Sequence, residues 1–321
     1  MSKIDDAFLN FNLRLSKKYP FETKLYLYAD YFELVSLINH DRIGVGEMLD
    51  RLKDEGILSV EFDKESDIAS IKDEEEAFVR NVFGLIQQRQ FEYNEFYPFK
   101  YKDSFIKVND DITEQQKLYV FLLMASNLYL FEKFESDLTS EFEKLSKLAL
   151  INYLPKFAKV KGFGKNSDYS GTTVVKIRKL AADMNVGVKE QYLATVSKKG
   201  TQDLGLDVVA WLPFKDKLGN FISVFAQCAC GKDWNKKLTE TRRYNKFLDM
   251  YLSQIDHAIF IPYSLINYNN NTFYDHHEFG DPVLIFERNR ILALIKDYSV
   301  FSQLKSKELV EKYIEFREDV V

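Results

Sequence analysis

The chain has 321 residues, 46% apolar and 29% charged, a balance ordinary for a globular protein with room for two domains. No long uncharged apolar run is present, which excludes a membrane-spanning helix, and the acid-bearing start MSKIDDAFLNFNLRLSKKYP lacks the apolar core of a secretory signal, so a cytoplasmic protein is expected. The net charge of −5 conceals a division: residues 1–155 carry 29 acids against 19 bases, and residues 156–321 carry 20 against 25, the pattern of an acidic half joined to a half suited to nucleic acid.

In chain order, the first half reads as mostly helical. Residues 21–39 place Leu25, Tyr28, Phe32 and Val35 near helical spacing, and a second helix follows a glycine-containing turn over 44–52. A helix-turn-helix is conceivable within 31–56, although the acidic balance argues against this half as the primary DNA binder. Residues 74–89 continue the helical pattern through Phe78, Val82, Phe83 and Ile86. The aromatic run FEYNEFYPFKY, residues 91–101, suits either a buried core or a partner surface. Residues 113–148 form the longest expected helix, interrupted within, and entered by a capping box of Thr113 with Gln116 three positions later.

Around residues 155–168 the composition turns to lysine, glycine and serine, and the domain boundary is placed there, dividing the chain into 1–155 and 156–321. Between residues 156 and 199 ten bases stand against three acids. Two apolar strands follow, 207–210 and 221–229. The first is entered at Asp207 and the second ends on Gln227, so a suitable register sets two oxygen ligands side by side at one edge of a sheet. The two cysteines, Cys228 and Cys230, are one residue apart, poor geometry for a disulfide and too few ligands for zinc, and are read as small apolar side chains. Residues 233–252 have helical spacing with Asp233 as N-cap. Apolar strands at 257–262 and 282–294 would complete the sheet, separated by an exposed NYNNN loop and by His276 and His277, which are read as surface residues.

The run GLDVVA at residues 205–210, followed by a strand ending in Gln227, Cys228 and Ala229, resembles the Mrr-like branch of the restriction-endonuclease-like PD-(D/E)XK superfamily. The resemblance spans roughly residues 161–300. It implies an α+β protein: a mostly helical N-terminal domain, then an α/β restriction-endonuclease-like domain with a central mixed sheet flanked by helices. It also implies a metal-dependent endonuclease that hydrolyses DNA phosphodiester bonds, an effector of restriction or anti-phage defence working beside an ATPase, helicase or sensor subunit docked on the N-terminal domain. The branch usually has lysine two residues after the glutamine, where this chain has Ala229, so a displaced lysine is expected from Lys237 or Lys232. The alternative is a catalytically inactive nuclease fold that binds DNA or serves as a scaffold.

The implied cofactor is Mg2+, with Mn2+ able to substitute, because phosphodiester hydrolysis needs positive charge on a phosphorus centre and magnesium prefers hard oxygen ligands. Asp207 is the expected anchoring ligand, with Gln227 offering its side-chain oxygen, Cys228 its backbone carbonyl, and Glu190 (or Asp203) a further acid. An ammonium from Lys237 or Lys232 would steady the reacting phosphate. Lys198, Lys199, Lys236, Arg242 and Arg243 are the expected contacts to the nucleic-acid backbone, and binding through them should weaken with salt.

Overall fold

The computed structural model describes residues 3–9, 11–15, 24–39, 41–58, 68–197, 203–274 and 276–317. The chain divides into two units. The first comprises Met1–Glu135, Tyr263–Asp275 and Tyr298–Val321, and the second Ser136–Pro262 and His276–Asp297. The division therefore precedes the residue 155 boundary expected from composition. A helix assigned to the first half belongs to the second unit, and two distal segments return to the first.

Helices α1 (Lys3–Phe8) and α2 (Leu25–Asn39) open the first unit. Residues 26–38 of α2 are all buried, as in a helix surrounded by others. Strand β1 (Ile43–Gly44), α3 (Val45–Asp54), α4 (Ile68–Tyr93), β2 (Phe99–Lys102) and β3 (Phe105–Val108) follow. β1 and β2 both pair antiparallel with β3, so the helix pair within 31–56, α2 and α3, is separated by an edge strand of this sheet. Helix α5 (Glu114–Ala125) starts as its sequence signals. Thr113 Oγ1 accepts the Gln116 N–H at 3.3 Å, and Gln116 Oε1 accepts the Thr113 N–H at 3.2 Å. Of the aromatic run, Tyr93, Phe96, Tyr97 and Phe99 are buried and Phe91 is exposed, so the core claims most of it.

This core also encloses charge. Arg89 Nη1 lies 2.8 Å from both Asp30 Oδ1 and Glu33 Oε1, and Nη2 donates to the Tyr26 carbonyl at 3.0 Å. Tyr97 and Tyr119 donate to Glu33 at 2.7 and 2.8 Å. All three charged side chains are fully buried.

The second unit begins with α6 (Glu135–Tyr153), whose Leu138, Phe142, Leu145 and Ala149 recur at helical spacing and are buried. Then come β4 (Lys159–Gly162), α7 (Thr173–Met184), β5 (Gly187–Val188), α8 (Glu190–Leu193), β6 (Val208–Trp211) and β7 (Ser223–Cys228). Helix α7 ends at Asn185, whose φ of +52° is the left-handed cap asparagine tolerates. The two central strands, VVAW and SVFAQC, are buried on both faces but for Cys228 at the end, as strands covered on both sides are.

Residues 233–252 do not form the long helix expected. Two 3-10 turns, Trp234–Lys237 and Glu240–Arg243, precede a single turn α9 (Tyr244–Phe247), and Leu248–Asp249 then forms β8, paired with β5. Trp234, Leu238, Phe247 and Leu248, whose spacing suggests one helix, are all buried, but from separate short turns and the start of β8. Asp233 makes no cap hydrogen bond and pairs instead with Lys236.

Strand β9 (Ile255–Phe260) returns to the sheet. The NYNNN segment is the turn of a hairpin, β10 (Ile266–Asn267) with β11 (Thr272–Phe273), in the first unit. His276 and His277 are exposed. Of the expected strand 282–294 only β12 (Leu284–Phe286) is extended. Glu287 accepts the Arg290 N–H at 2.9 Å and starts helix α10 (Arg288–Leu294). Helix α11 (Lys307–Glu315) completes the first unit.

The second unit is thus built on a five-stranded mixed sheet ordered β12-β9-β7-β6-β4. β6 runs antiparallel to its neighbours β4 and β7, and β7, β9 and β12 run parallel. The protein is α+β, as expected. No described helix is long and apolar enough to cross a membrane.

Candidate metal and phosphodiester site

Three segments meet at one end of this sheet: the loop leaving β4, the residue entering β6 and the last residues of β7. The register pairs Val209 with Phe225, both in one apolar cluster, and so sets Asp207 and Gln227 in the same alternating rank. At Asp207 the ladder slips by one residue. Its N–H donates to the Ala226 carbonyl at 3.0 Å, and its Oδ2 accepts the Cys228 N–H at 2.7 Å, so a side chain supplies an acceptor where the ladder ends. On the other side the Phe163 N–H donates to the Asp207 carbonyl at 2.7 Å.

A second carboxylate arrives from α6. Glu143 accepts the backbone N–H of Asn166 at 2.8 Å and of Lys165 at 3.1 Å, which ties the helix to the loop after β4. Gly164 lies between the two acids. A Cβ there would stand 2.3 Å from Asp207 Oδ1 and 3.0 Å from Glu143 Oε2, so the carboxylates come within a few ångströms of each other and only glycine fits between them.

This crowding changes the chemistry of both acids. The Asp207 carboxyl is pushed up to about 8, first by burial and then by the nearby Asp203 charge; the Cys228 N–H opposes the rise, Glu143 adds to it, and Lys237 opposes it. Burial likewise raises Glu143, against the pull of its two backbone donors. Gln227 is 5% exposed. Its Nε2 donates to Glu240 Oε2 at 2.6 Å, and its Oε1 has no hydrogen-bond partner. A buried oxygen left bare and a carboxyl whose charge is opposed by burial and by nearby like charge are two deficits that a cation would relieve.

Of the other expected ligands, Cys228 contributes its N–H to Asp207, and burial pushes its thiol well above the usual range, so it is no nucleophile at neutral pH. Glu190 is a correction. It is exposed and engaged by both terminal nitrogens of Arg178, and it is not among the charges acting on Asp207. Asp203, the other acid considered, does act there, and its Oδ1 also accepts the Gly205 N–H at 2.9 Å. Among the described residues no three His, Cys, Asp or Glu side chains could hold a metal by themselves. The oxygen donors this end of the sheet offers a divalent cation are the crowded Asp207 and Glu143 carboxylates and the bare Gln227 amide oxygen.

Ala229 is fully buried and its N–H donates to the Phe260 carbonyl at 2.9 Å, so the position two residues after Gln227 is closed into the sheet. Lys232 and Lys237 are both exposed, and Lys237 is among the main charges acting on Asp207. Lys198 and Lys199 lie outside the described residues. Lys236 pairs with Asp233 at 3.1 Å, Arg242 approaches Asp281 at 3.6 Å and donates to the Pro282 carbonyl, and Arg243 is exposed. Glu143 and Glu240 went unnoticed in the sequence, since both sit among ordinary surface-type charges and reach the site only through the fold. Comparison with protein-family models, with curated proteins and with solved structures gives no match.

Proposed function

We propose that the chain is a metal-dependent endonuclease of the restriction-endonuclease-like superfamily, cutting DNA at the Asp207 end of the sheet. The observation that carries this reading is the pair of crowded carboxylates, Asp207 and Glu143, at the strand ends where the register also sets Gln227 with its buried, bare Oε1. The order of elements supports it: a helix, three antiparallel strands, then a parallel strand, with the acids at the end where the parallel strands finish, where open sheets place their ligands.

Asp207, Glu143 and Gln227 would hold Mg2+ or Mn2+. Bound there, the cation supplies positive charge and Lewis acidity to the phosphodiester. Asp207 gives up its proton as the site fills, Glu143 is braced by two backbone donors, and the exposed Lys237 ammonium can meet a phosphate oxygen without being buried. In the defence setting that the resemblance implies, the acidic first unit docks an ATPase, helicase or sensor subunit.

The test is nicking of supercoiled plasmid with and without Mg2+ or Mn2+. Lys237→Ala is expected to slow cutting by roughly 10²-fold, the scale of a lost charge stabiliser, and Lys232→Ala by far less. Equal loss in both would remove the assignment of Lys237. The closed Ala229 position favours one other reading, a non-cleaving nuclease fold that binds DNA. Salt-sensitive DNA binding with no metal-dependent nicking would decide for it.

Proton and cation compete for Asp207. Because its folded pKa is raised to about 8, the free protein holds a proton there at neutral pH. Mn2+ affinity should therefore climb by up to about tenfold per pH unit below 8 and level above it, with close to one proton released per ion at pH 7. Calorimetry in buffers of differing ionisation enthalpy measures both quantities, and an affinity flat from pH 6 to 8 would count against Asp207 as a ligand.

A further inference from the structure

An amide where most such sites have a carboxylate costs one negative charge, and the structure supplies a carboxylate one residue further out. A carboxylate only accepts hydrogen bonds, so Glu240 fixes which way the Gln227 amide points. The nitrogen must face Glu240, 2.6 Å away. That leaves Oε1, the only atom of this amide able to ligate a cation, buried and without a protein partner.

The backbone makes room for the arrangement. Leu204 and Gly205 both have positive φ, +55° and +83°, in a turn held by the Asp203 carboxylate. A Cβ on Gly205 would stand 2.5 Å from the Glu240 Cβ and 2.7 Å from its Oε2. The turn that delivers Asp207 two residues later is thus the turn that leaves space for Glu240.

We propose that Glu240 is a positioning residue. It locks the Gln227 amide with its oxygen toward the cation and, through that hydrogen bond, restores to the site the negative charge the amide lacks. This rests on the reading of the site as a divalent-cation centre. Glu240 does not touch the cation. It makes Gln227 behave as a more basic ligand than a free amide.

The measurement is Mn2+ affinity by calorimetry at pH 8, with thermal melts to confirm folding. The proteins are the wild type, Asp207→Ala, Glu240→Gln and the exchanged pair Gln227→Glu with Glu240→Gln. Wild type is expected to bind and Asp207→Ala not to. Glu240→Gln, in which an amide faces an amide and neither orientation is fixed, should bind roughly tenfold more weakly, the lower end of what outer-shell partners contribute. The exchanged pair carries the carboxylate at 227 and the amide at 240, keeps one hydrogen bond between them, and should recover to within about threefold of wild type. Wild-type affinity in Glu240→Gln, alongside loss in Asp207→Ala, overturns the role of Glu240 while leaving the metal site intact. So does a folded exchanged pair as weak as the single variant. A wild type that binds no Mn2+ removes the metal site and this role together.

Discussion

Asp207→Asn is expected to abolish plasmid cutting, by roughly 10³-fold or more, and at the same time to make the metal-free protein more stable above pH 8. Both effects have one cause. The wild-type carboxyl is raised from an ordinary 3.8 to about 8 by burial and by the Asp203 and Glu143 charges. A raised folded pKa contributes stability fully present below the unfolded value and lost as pH rises through the folded one. Wild type therefore becomes less stable between about pH 4 and pH 8, and at alkaline pH it holds a charge its surroundings oppose. Asparagine keeps an oxygen for the Cys228 N–H, removes the charge, and cannot serve as the anchoring anionic ligand. Each kcal/mol gained raises Tm by about 1.5 °C if all 321 residues melt together, at about 2.1 cal/mol/K per residue. Adding Mn2+ should raise the Tm of wild type and leave the variant unmoved. A variant that cuts as well as wild type, or that melts lower than wild type at pH 9, would show that Asp207 is not a carboxylate held ready for a cation.

That trade-off also marks what the sequence made legible. Asp207 and Gln227 stand at the ends of two uninterrupted apolar strands, and strand alternation alone sets them in one rank once the register is known. Thr113 and Gln116 were equally plain, because a capping box is local. Glu143 was not legible, because it lies on a helix that composition assigned to the first half, and only the loop from Gly162 to Asp168 brings it to the strand ends. Glu240 was hidden in the expected helix of residues 233–252, which the fold breaks into separate short turns. The boundary at 155 failed for a related reason. Tyr313 donates to the Leu34 carbonyl across 279 positions, and Tyr263 packs edge-on against Tyr26, contacts that no local shift in composition announces.

The first unit makes a different test possible, of stability alone. Arg89→Met is expected to cost about 3–5 kcal/mol, the scale for breaking a buried ion network from one side. Methionine is close to arginine in length and leaves no large cavity, so packing explains little of the loss. The cost comes from Asp30 and Glu33, which would stay buried without the guanidinium that now lies 2.8 Å from each. Ser126, which donates to Asp30, and Tyr97 and Tyr119, which donate to Glu33, are neutral hydroxyls, and each compensates only part of a buried charge. If that account holds, removing the stranded charges should undo most of the damage. The triple variant Arg89→Met, Asp30→Asn, Glu33→Gln should recover at least half of the lost stability in urea titration, although it has fewer charge-assisted contacts than the single variant. Single and triple variants equally unstable would mean that the network stabilises by shape rather than by charge. A loss below about 1 kcal/mol in the single variant would mean that water reaches Asp30 and Glu33 once Arg89 is gone.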